Sequence, residues 1–375
     1  MDEQDTVRIN SSKDMDIDFD SYLNFELPTL PDIYITIYKL LFRYIILLII
    51  ATSLVGNFLT IAVLMQKGNR KFSTSIFMCS LAFGDLWINV YDAPITWLVS
   101  TGFLKQFYSK LDCYIRISLS SLRMPSAWSC VIISIERLIC VLMPHKVKSI
   151  CTIRLAKIVV AMTWVFPLIL GIIMSNWMVF IDLGARGTLC LMNDELNQVR
   201  IYYLIFHSLV QSIIPAALVL ICTVFTVAAL YRRKMQRSLA AKQNASITVS
   251  LVIVNAVFII TILPHSLVTL AELYDFFDET DINNMLMFAY WRDISSFIMF
   301  INSAVNVFIY FLSGSRFRKN TKDLCYSIIY SCYCKKRRGQ ENSIPVTKDN
   351  TMSMSVSGSS HRKRREDQDV SEYMY

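Results

Sequence analysis

An acid and a guanidinium stand side by side at Glu136-Arg137, at the end of a long apolar run. The only other ionisable residue between Ile117 and Ile135 is Arg123. Soon after comes the basic turn Pro144-His145-Lys146-Val147-Lys148. Arg137 therefore belongs at a lipid-to-water edge, where an arginine snorkels and a neighbouring carboxylate holds its charge until a partner competes for it. The pair also fits a plain interfacial anchor. Deeper in apolar sequence lie Asp85, Ser126, Asn302, Ser303 and Asn306. At the α-helical rise, Asp85 is roughly 18 Å and Ser126 roughly 16 Å from the inner edge. They are level, and Asn302 and Asn306 share one helix face at similar depth. An acid, hydroxyls and amide oxygens converging there have the chemistry to coordinate a small hard cation such as sodium, with Asp85 as its charged ligand. A water-filled, hydrogen-bonded packing knot would use the same groups.

Arg123 is the most exceptional residue. It lies about 21 Å above Arg137, where an unpaired guanidinium costs at least a few kcal/mol. Asp92, seven residues beyond Asp85 and so on nearly the same helix face, is the internal candidate to pair with it. A ligand carboxylate or carbonyl is the functional alternative. His207 and Gln211, one turn apart, His265 just after Pro264, and Glu272 are further candidates for ligand contact, although a histidine on such a face also serves as a packing residue.

These side chains need helices to position them. The chain has 375 residues, 54% of them apolar and 18% charged, with a mean hydropathy of +0.44, too oily for a soluble domain of this size. Apolar runs long enough to cross a bilayer lie near 40–65, 73–99, 112–142, 154–180, 201–231, 246–271 and 285–312. Backbone groups in lipid must be satisfied internally, so the seven runs are expected to be helices of an all-α membrane protein.

Lysine and arginine set the orientation. The loops after the first, third and fifth runs carry Lys67, Arg70 and Lys71, then Lys146, Lys148 and Arg154, then Arg232, Arg233, Lys234, Arg237 and Lys242, whereas residues 272–281 contain five acids and no base. The N-terminus is expected outside and the C-terminus in the cytosol, at the plasma membrane. The net charge of +8 then faces anionic lipid, and no nucleic-acid partner is expected. Of ten cysteines only Cys113 and Cys190 fall on the outer side, where a disulfide persists and would pin a loop across the bundle. Cys325, Cys332 and Cys334, beside Lys335 to Arg338, are acylation candidates or plain cytosolic thiols. Asn10-Ser11-Ser12 is an outer glycosylation sequon. Residues 1–32 hold nine acids and lack a basic-then-apolar start, so the first run is expected to act as signal anchor. The chain divides into an acidic outer tail (1–38), the seven-helix domain (39–314), an amphipathic eighth helix with its cysteine-rich basic segment (315–338), and a disordered cytoplasmic tail (339–375).

Gly56-Asn57, Leu81-Ala82-Phe83-Gly84-Asp85-Leu86, Glu136-Arg137-Leu138, Trp164, Pro215, Phe258 with Pro264, and Asn306-Val307-Phe308-Ile309-Tyr310 form an ordered set, one per span. The set resembles that of the rhodopsin-like (class A) G-protein-coupled receptors over about residues 40–320. The resemblance implies a receptor that drives nucleotide exchange on a heterotrimeric G protein. Glu136, Arg137 and Tyr310 would serve coupling, and Asp85, Ser126, Asn302, Ser303 and Asn306 would take the family's sodium site. It implies no cofactor other than that ion. Departures are Val307 where the family usually has proline, Ile262 where a tryptophan is common, Thr223 where many relatives carry tyrosine, and a Cys113-to-Arg137 spacing one residue short, which puts the register at the top of the third helix in question.

The acidic outer face would concentrate a cationic ligand, and residues 179–189 read as a hairpin around a Gly-x-x-Gly turn, a feature peptide receptors of this family share. The expected ligand is a basic neuropeptide, as for the invertebrate FMRFamide-type receptors that the chain resembles. A lipid or small acid is the alternative. The Ser- and Thr-rich tail would recruit an arrestin-like partner once phosphorylated. An intramembrane aspartyl protease built on Asp85 with Asp92 or Asp293 lacks the first glycine of the usual pattern, and no internal repeat supports a transporter. The protein is expected not to be an enzyme.

Overall fold

The computed structural model describes residues 32–104, 109–182, 188–192, 197–233, 239–273, 282–313 and 317–326. Seven long helical runs cross the molecule: α1 (Asp32–Leu64), α2 (73–100), α3 (Lys110–Leu142), α4 (Ile153–Ser175), α5 (197–233), α6 (Leu239–Leu273) and α7 (Ile282–Ser313). A short α8 (317–326) follows. Six of the seven are long and apolar enough to span a membrane by length and composition. The other, α2, is diluted by Asp85, Asn89 and Asp92. The fourth helix stops at Ser175, short of the apolar run that continues to residue 180, because Met178–Asp182 turns into a strand.

That strand, β1, pairs antiparallel with β2 (Thr188–Met192). The hairpin expected from the sequence is present and extends past Cys190, which lies opposite Phe180. The disulfide Cys113–Cys190 ties it to the start of α3, over a small core of Cys113, Met174 and Met178. The turn residues 183–187, the sequon at Asn10, and Cys332 and Cys334 lie outside the described residues.

The helices close into a ring. Each helix from α1 to α4 packs on the next, as do α5 on α6 and α6 on α7; α7 returns to α1, and α3 runs through the middle against α2, α4, α5 and α6. The solvation pattern is inverted relative to a soluble protein. Val55, Phe58, Met162, Leu220, Val224, Ile260 and Leu312 point outward, while Asp85, Asn57, Asn89, Ser126, Ser303 and Asn306 are buried, as expected where lipid is the outer solvent. The central core gathers Phe77, Leu81, Val131, Val219, Phe258 and Ile262.

Three helices depart from α geometry just before a proline. A π turn at Ile88–Asp92 precedes Pro94, a 3-10 turn at Ser121–Arg123 precedes Pro125, and a π turn at Leu209–Ile213 precedes Pro215. Proline lacks the N–H that would bond the carbonyl four residues back, and its ring crowds that carbonyl. The carbonyls concerned belong to Val90, Ser121 and Gln211, each inside its non-α turn. The 3-10 turn also answers the short Cys113-to-Arg137 spacing. Three residues rising about 2.0 Å instead of 1.5 Å add about 1.5 Å, the rise of one α-helical residue. A fourth such turn, the π turn at Leu41–Ile45, has no proline after it and nothing in the structure explains it.

Candidate functional site

At the inner rim, α3 presents Glu136 and Arg137 to the first turn of α2. The Ser73 hydroxyl donates to Glu136 Oε1, and Arg137 donates to the Thr74 hydroxyl. The guanidinium lies 3.6 Å from Glu136 Oε2. The start of α2 is a helix N-terminus, whose unsatisfied N–H groups favour the adjacent carboxylate. Tyr310 is buried in a separate cluster with Val254 and Ile309, its ring 5.9 Å from that of Phe317 on α8. Its hydroxyl has no hydrogen-bond partner among the described residues. Cys325 is exposed on α8.

One level deeper, Asp85 is fully buried and accepts from Ser126 Oγ on one oxygen and from Asn306 Nδ2 on the other, both at 2.7 Å. The equal depths read from helix rise hold. Asn89 Nδ2 donates to the Asp85 carbonyl at 2.9 Å and to Ser303 Oγ. Asn57 and Ser53 donate to the Ser303 carbonyl at 3.0 and 3.2 Å. That carbonyl lies four residues before Val307, the position where the family's proline would leave it unpaired. Here Val307 restores the N–H and α7 runs on unbroken. Gly56 packs against Val307: a Cβ there would lie 2.9 Å from the valine Cβ. Gly84 similarly admits the α3 backbone at Ser126.

Above this knot lies a cavity of about 20 Å³ lined by Arg123, Ser126, Gln211, Phe258, Ile262 and Asn302 among others. Arg123 Nε donates to Asp92 Oδ2 at 2.7 Å, so the internal pairing is made. Gln211 is buried, and its Oε1 has no hydrogen-bond partner among the described residues. His265 sits 3.3 Å from both Ser295 and Ser296 on α7, a packing link between helices. His207 lies against Tyr203, ring centroids 5.5 Å apart. The side chain of Glu272 lies outside the described residues. Asn302 borders the cavity and makes no hydrogen bond to Asp85. Arg123 and Gln211 at the cavity, and Asp92, which pairs with Arg123, lie on the proline-loosened turns. The sequence reading treated α2 as straight, and the prolines are the signal it passed over. It also passed over Ser73, Thr74 and Asn89, small polar residues that the fold makes partners.

The donor set has the chemistry for a small monovalent cation. The polar groups at and above the knot include two buried carboxyl groups, Asp85 and Asp92, and the half-buried guanidinium of Arg123. With both acids ionised these three are one positive charge short, which a proton or a monovalent ion would supply. Asn89 Oδ1 is a buried acceptor without a hydrogen-bond partner among the described residues. Among the described residues no cluster of three His, Cys, Asp or Glu exists, so the oxygens are those of one acid and neutral groups.

A ring of membrane-crossing helices with buried polar groups at its centre, a cavity above them and an arginine at the inner rim is the architecture of a multi-pass membrane receptor. The pattern describing the 7 transmembrane receptor (rhodopsin family) matches residues 56–310, and the chain belongs to that family. It is similar to somatostatin receptor type 1 of Rattus norvegicus, 22% identical over 295 residues that cover 77% of this chain and 72% of the relative. It is also similar to the pyroglutamylated RF-amide peptide receptor of Mus musculus, 25% identical over 317 residues covering 78% and 71%. A third relative is cysteinyl leukotriene receptor 1 of Sus scrofa, 22% identical over 273 residues covering 70% and 78%.

Proposed function

We propose that this protein is a neuropeptide receptor of the plasma membrane, its N-terminus outside, that activates a heterotrimeric G protein when a peptide binds at the outer ends of the helices, over the cavity that Arg123 lines. The observation that carries this reading is the alignment of buried polar groups at three levels of one bundle: Arg123 and Gln211 at the cavity, the Asp85–Ser126–Asn306 knot below it, and Arg137 at the inner rim. The hairpin pinned by Cys113–Cys190 and the similarity to two receptors named for peptides support the ligand class. The protein works by population shift rather than chemistry. A ligand that prefers the state with the inner end of α6 swung outward uncovers Arg137, now tied to Thr74 and Glu136, for the G protein. An arrestin-like protein takes the phosphorylated tail. Asp85, Ser126 and Ser303, with Asn89 Oδ1 as a further oxygen, are the residues that would hold a sodium ion, which would supply the missing positive charge. A lipid or small acidic ligand is the second reading, favoured by the Arg123 guanidinium at the cavity and by the similarity to a leukotriene receptor.

Arg137→Ala tests the coupling. In cells screened with a peptide library, calcium and cyclic AMP responses should vanish while surface expression stays near that of the parent chain. An undiminished response in this variant would sink the reading.

A further inference from the structure

Asn255 lies on α6, nine residues from Pro264 toward the inner end. It is 5% exposed, and its single Nδ2 donates to oxygens on two other helices: Ser134 Oγ on α3 at 2.9 Å and Thr223 Oγ1 on α5 at 2.8 Å. The Ser134 hydroxyl spends its own proton on the Cys130 carbonyl at 2.7 Å, so its oxygen is committed as an acceptor. Ser134 stands one turn above Arg137. The two bonds therefore cross the seam along which α6 would part from α3 and α5, next to the arginine that parting uncovers.

The neighbours are apolar. Val254 and Phe258, on the same stretch of α6, are buried, so few other groups stand ready to replace these partners. A displacement of about 1 Å takes both contacts beyond hydrogen-bonding length, and because one nitrogen makes both, they are lost together. None of the sequence motifs that define the family includes this residue, and Thr223 supplies one acceptor where many relatives carry tyrosine.

We infer that Asn255 is a positioning residue that clasps the inner half of α6 to α3 and α5, and that this clasp sets how often Arg137 is uncovered without ligand. Its consequence for signalling rests on the coupling reading above. The clasp itself is measurable without a G protein.

The test uses the full-length protein in lipid nanodiscs, with genetically encoded spin labels at two outward-facing positions, Ile253 on α6 and Leu155 on α4. Interhelical hydrogen bonds in membranes contribute modestly, so Asn255→Leu should raise the separated population about three- to tenfold. Thr223→Val, which keeps Asn255 and its bond to Ser134, should give part of that rise. The double variant should match Asn255→Leu alone. Ligand-free nucleotide exchange on a panel of purified heterotrimeric G proteins should rise by the same factor. A structural defect alone would lower exchange, so a gain separates the two roles. Unchanged label distances in a folded Asn255→Leu or Thr223→Val protein, or full additivity of the two, would overturn the inference. Labels that separate with no exchange on any G protein would uphold the clasp and remove the coupling reading.

Discussion

Arg123 and Asp92 show how a charge survives in an apolar interior. Their 2.7 Å contact lets each satisfy the other. Removing one partner is more damaging than removing both, because the survivor is left buried and uncompensated. Asp92→Ala should therefore lower stability by about 3–5 kcal/mol, seen as an earlier thermal unfolding transition in nanodiscs. Asp92→Ala combined with Arg123→Met should recover most of the loss. A single variant that unfolds with the parent would show that Arg123 has another partner. Gln211 and Asn89 differ in kind, each keeping a buried oxygen without a hydrogen-bond partner among the described residues. Such an oxygen is a standing invitation to a donor or a cation.

Two helices meet closely where α1 has Gly56 and α7 has Val307. The glycine is needed because a branched side chain stands opposite, and the branched side chain stands where the family's proline would be. Gly56→Ala should overpack this contact and cost about 1–3 kcal/mol, read from thermal unfolding. Val307→Ala in the same chain should restore stability. A double variant no better than Gly56→Ala would place the damage elsewhere. Helices α2, α3 and α5 use proline differently. Pro94, Pro125 and Pro215 each loosen the turn before them, and those turns carry Asp92, Arg123 and Gln211. A strict 3.6-residue period cannot predict where these side chains aim.

Across the full bundle, the outer and inner ends are held by different means. The outer end is tied covalently, since Cys113–Cys190 closes a loop with a sequence separation of 77 and holds the hairpin against the start of α3. Cys190→Ser should remove about 2–5 kcal/mol of stability. It should also strip backbone hydrogen-exchange protection from Met178–Asp182 while leaving the inner half of α3 protected. Equal loss at both ends would mean that the bridge supports the whole fold rather than its mouth. Among the described residues the inner end has no covalent tie: hydrogen bonds of Ser73 and Thr74 with the Glu136-Arg137 pair and of Asn255 with α3 and α5, together with the apolar contacts of Val254, Ile309 and Tyr310, hold it, and these can part without breaking a bond.

Residue order alone carried the helical class, the apolar runs, the cysteine pair, the hairpin and the common depth of Asp85 and Ser126. These follow from rise per residue, from the cost of charge in lipid, and from the placement of just two of ten cysteines at the ends of the runs opposite the basic loops. The pairing of Arg123 with Asp92 was legible as one of two readings, since a guanidinium at that depth needs an acceptor and a ligand could also supply it; the fold decided for Asp92. Packing alone settled which way each helix is turned and which distant residues become partners. Asn57 meets the Ser303 carbonyl, Thr74 meets Arg137, and Asn255 meets Ser134 and Thr223. The helical period sets directions around one axis only. The rotation of one axis against another comes from close contacts such as Gly56 on Val307, and from turns that prolines have loosened.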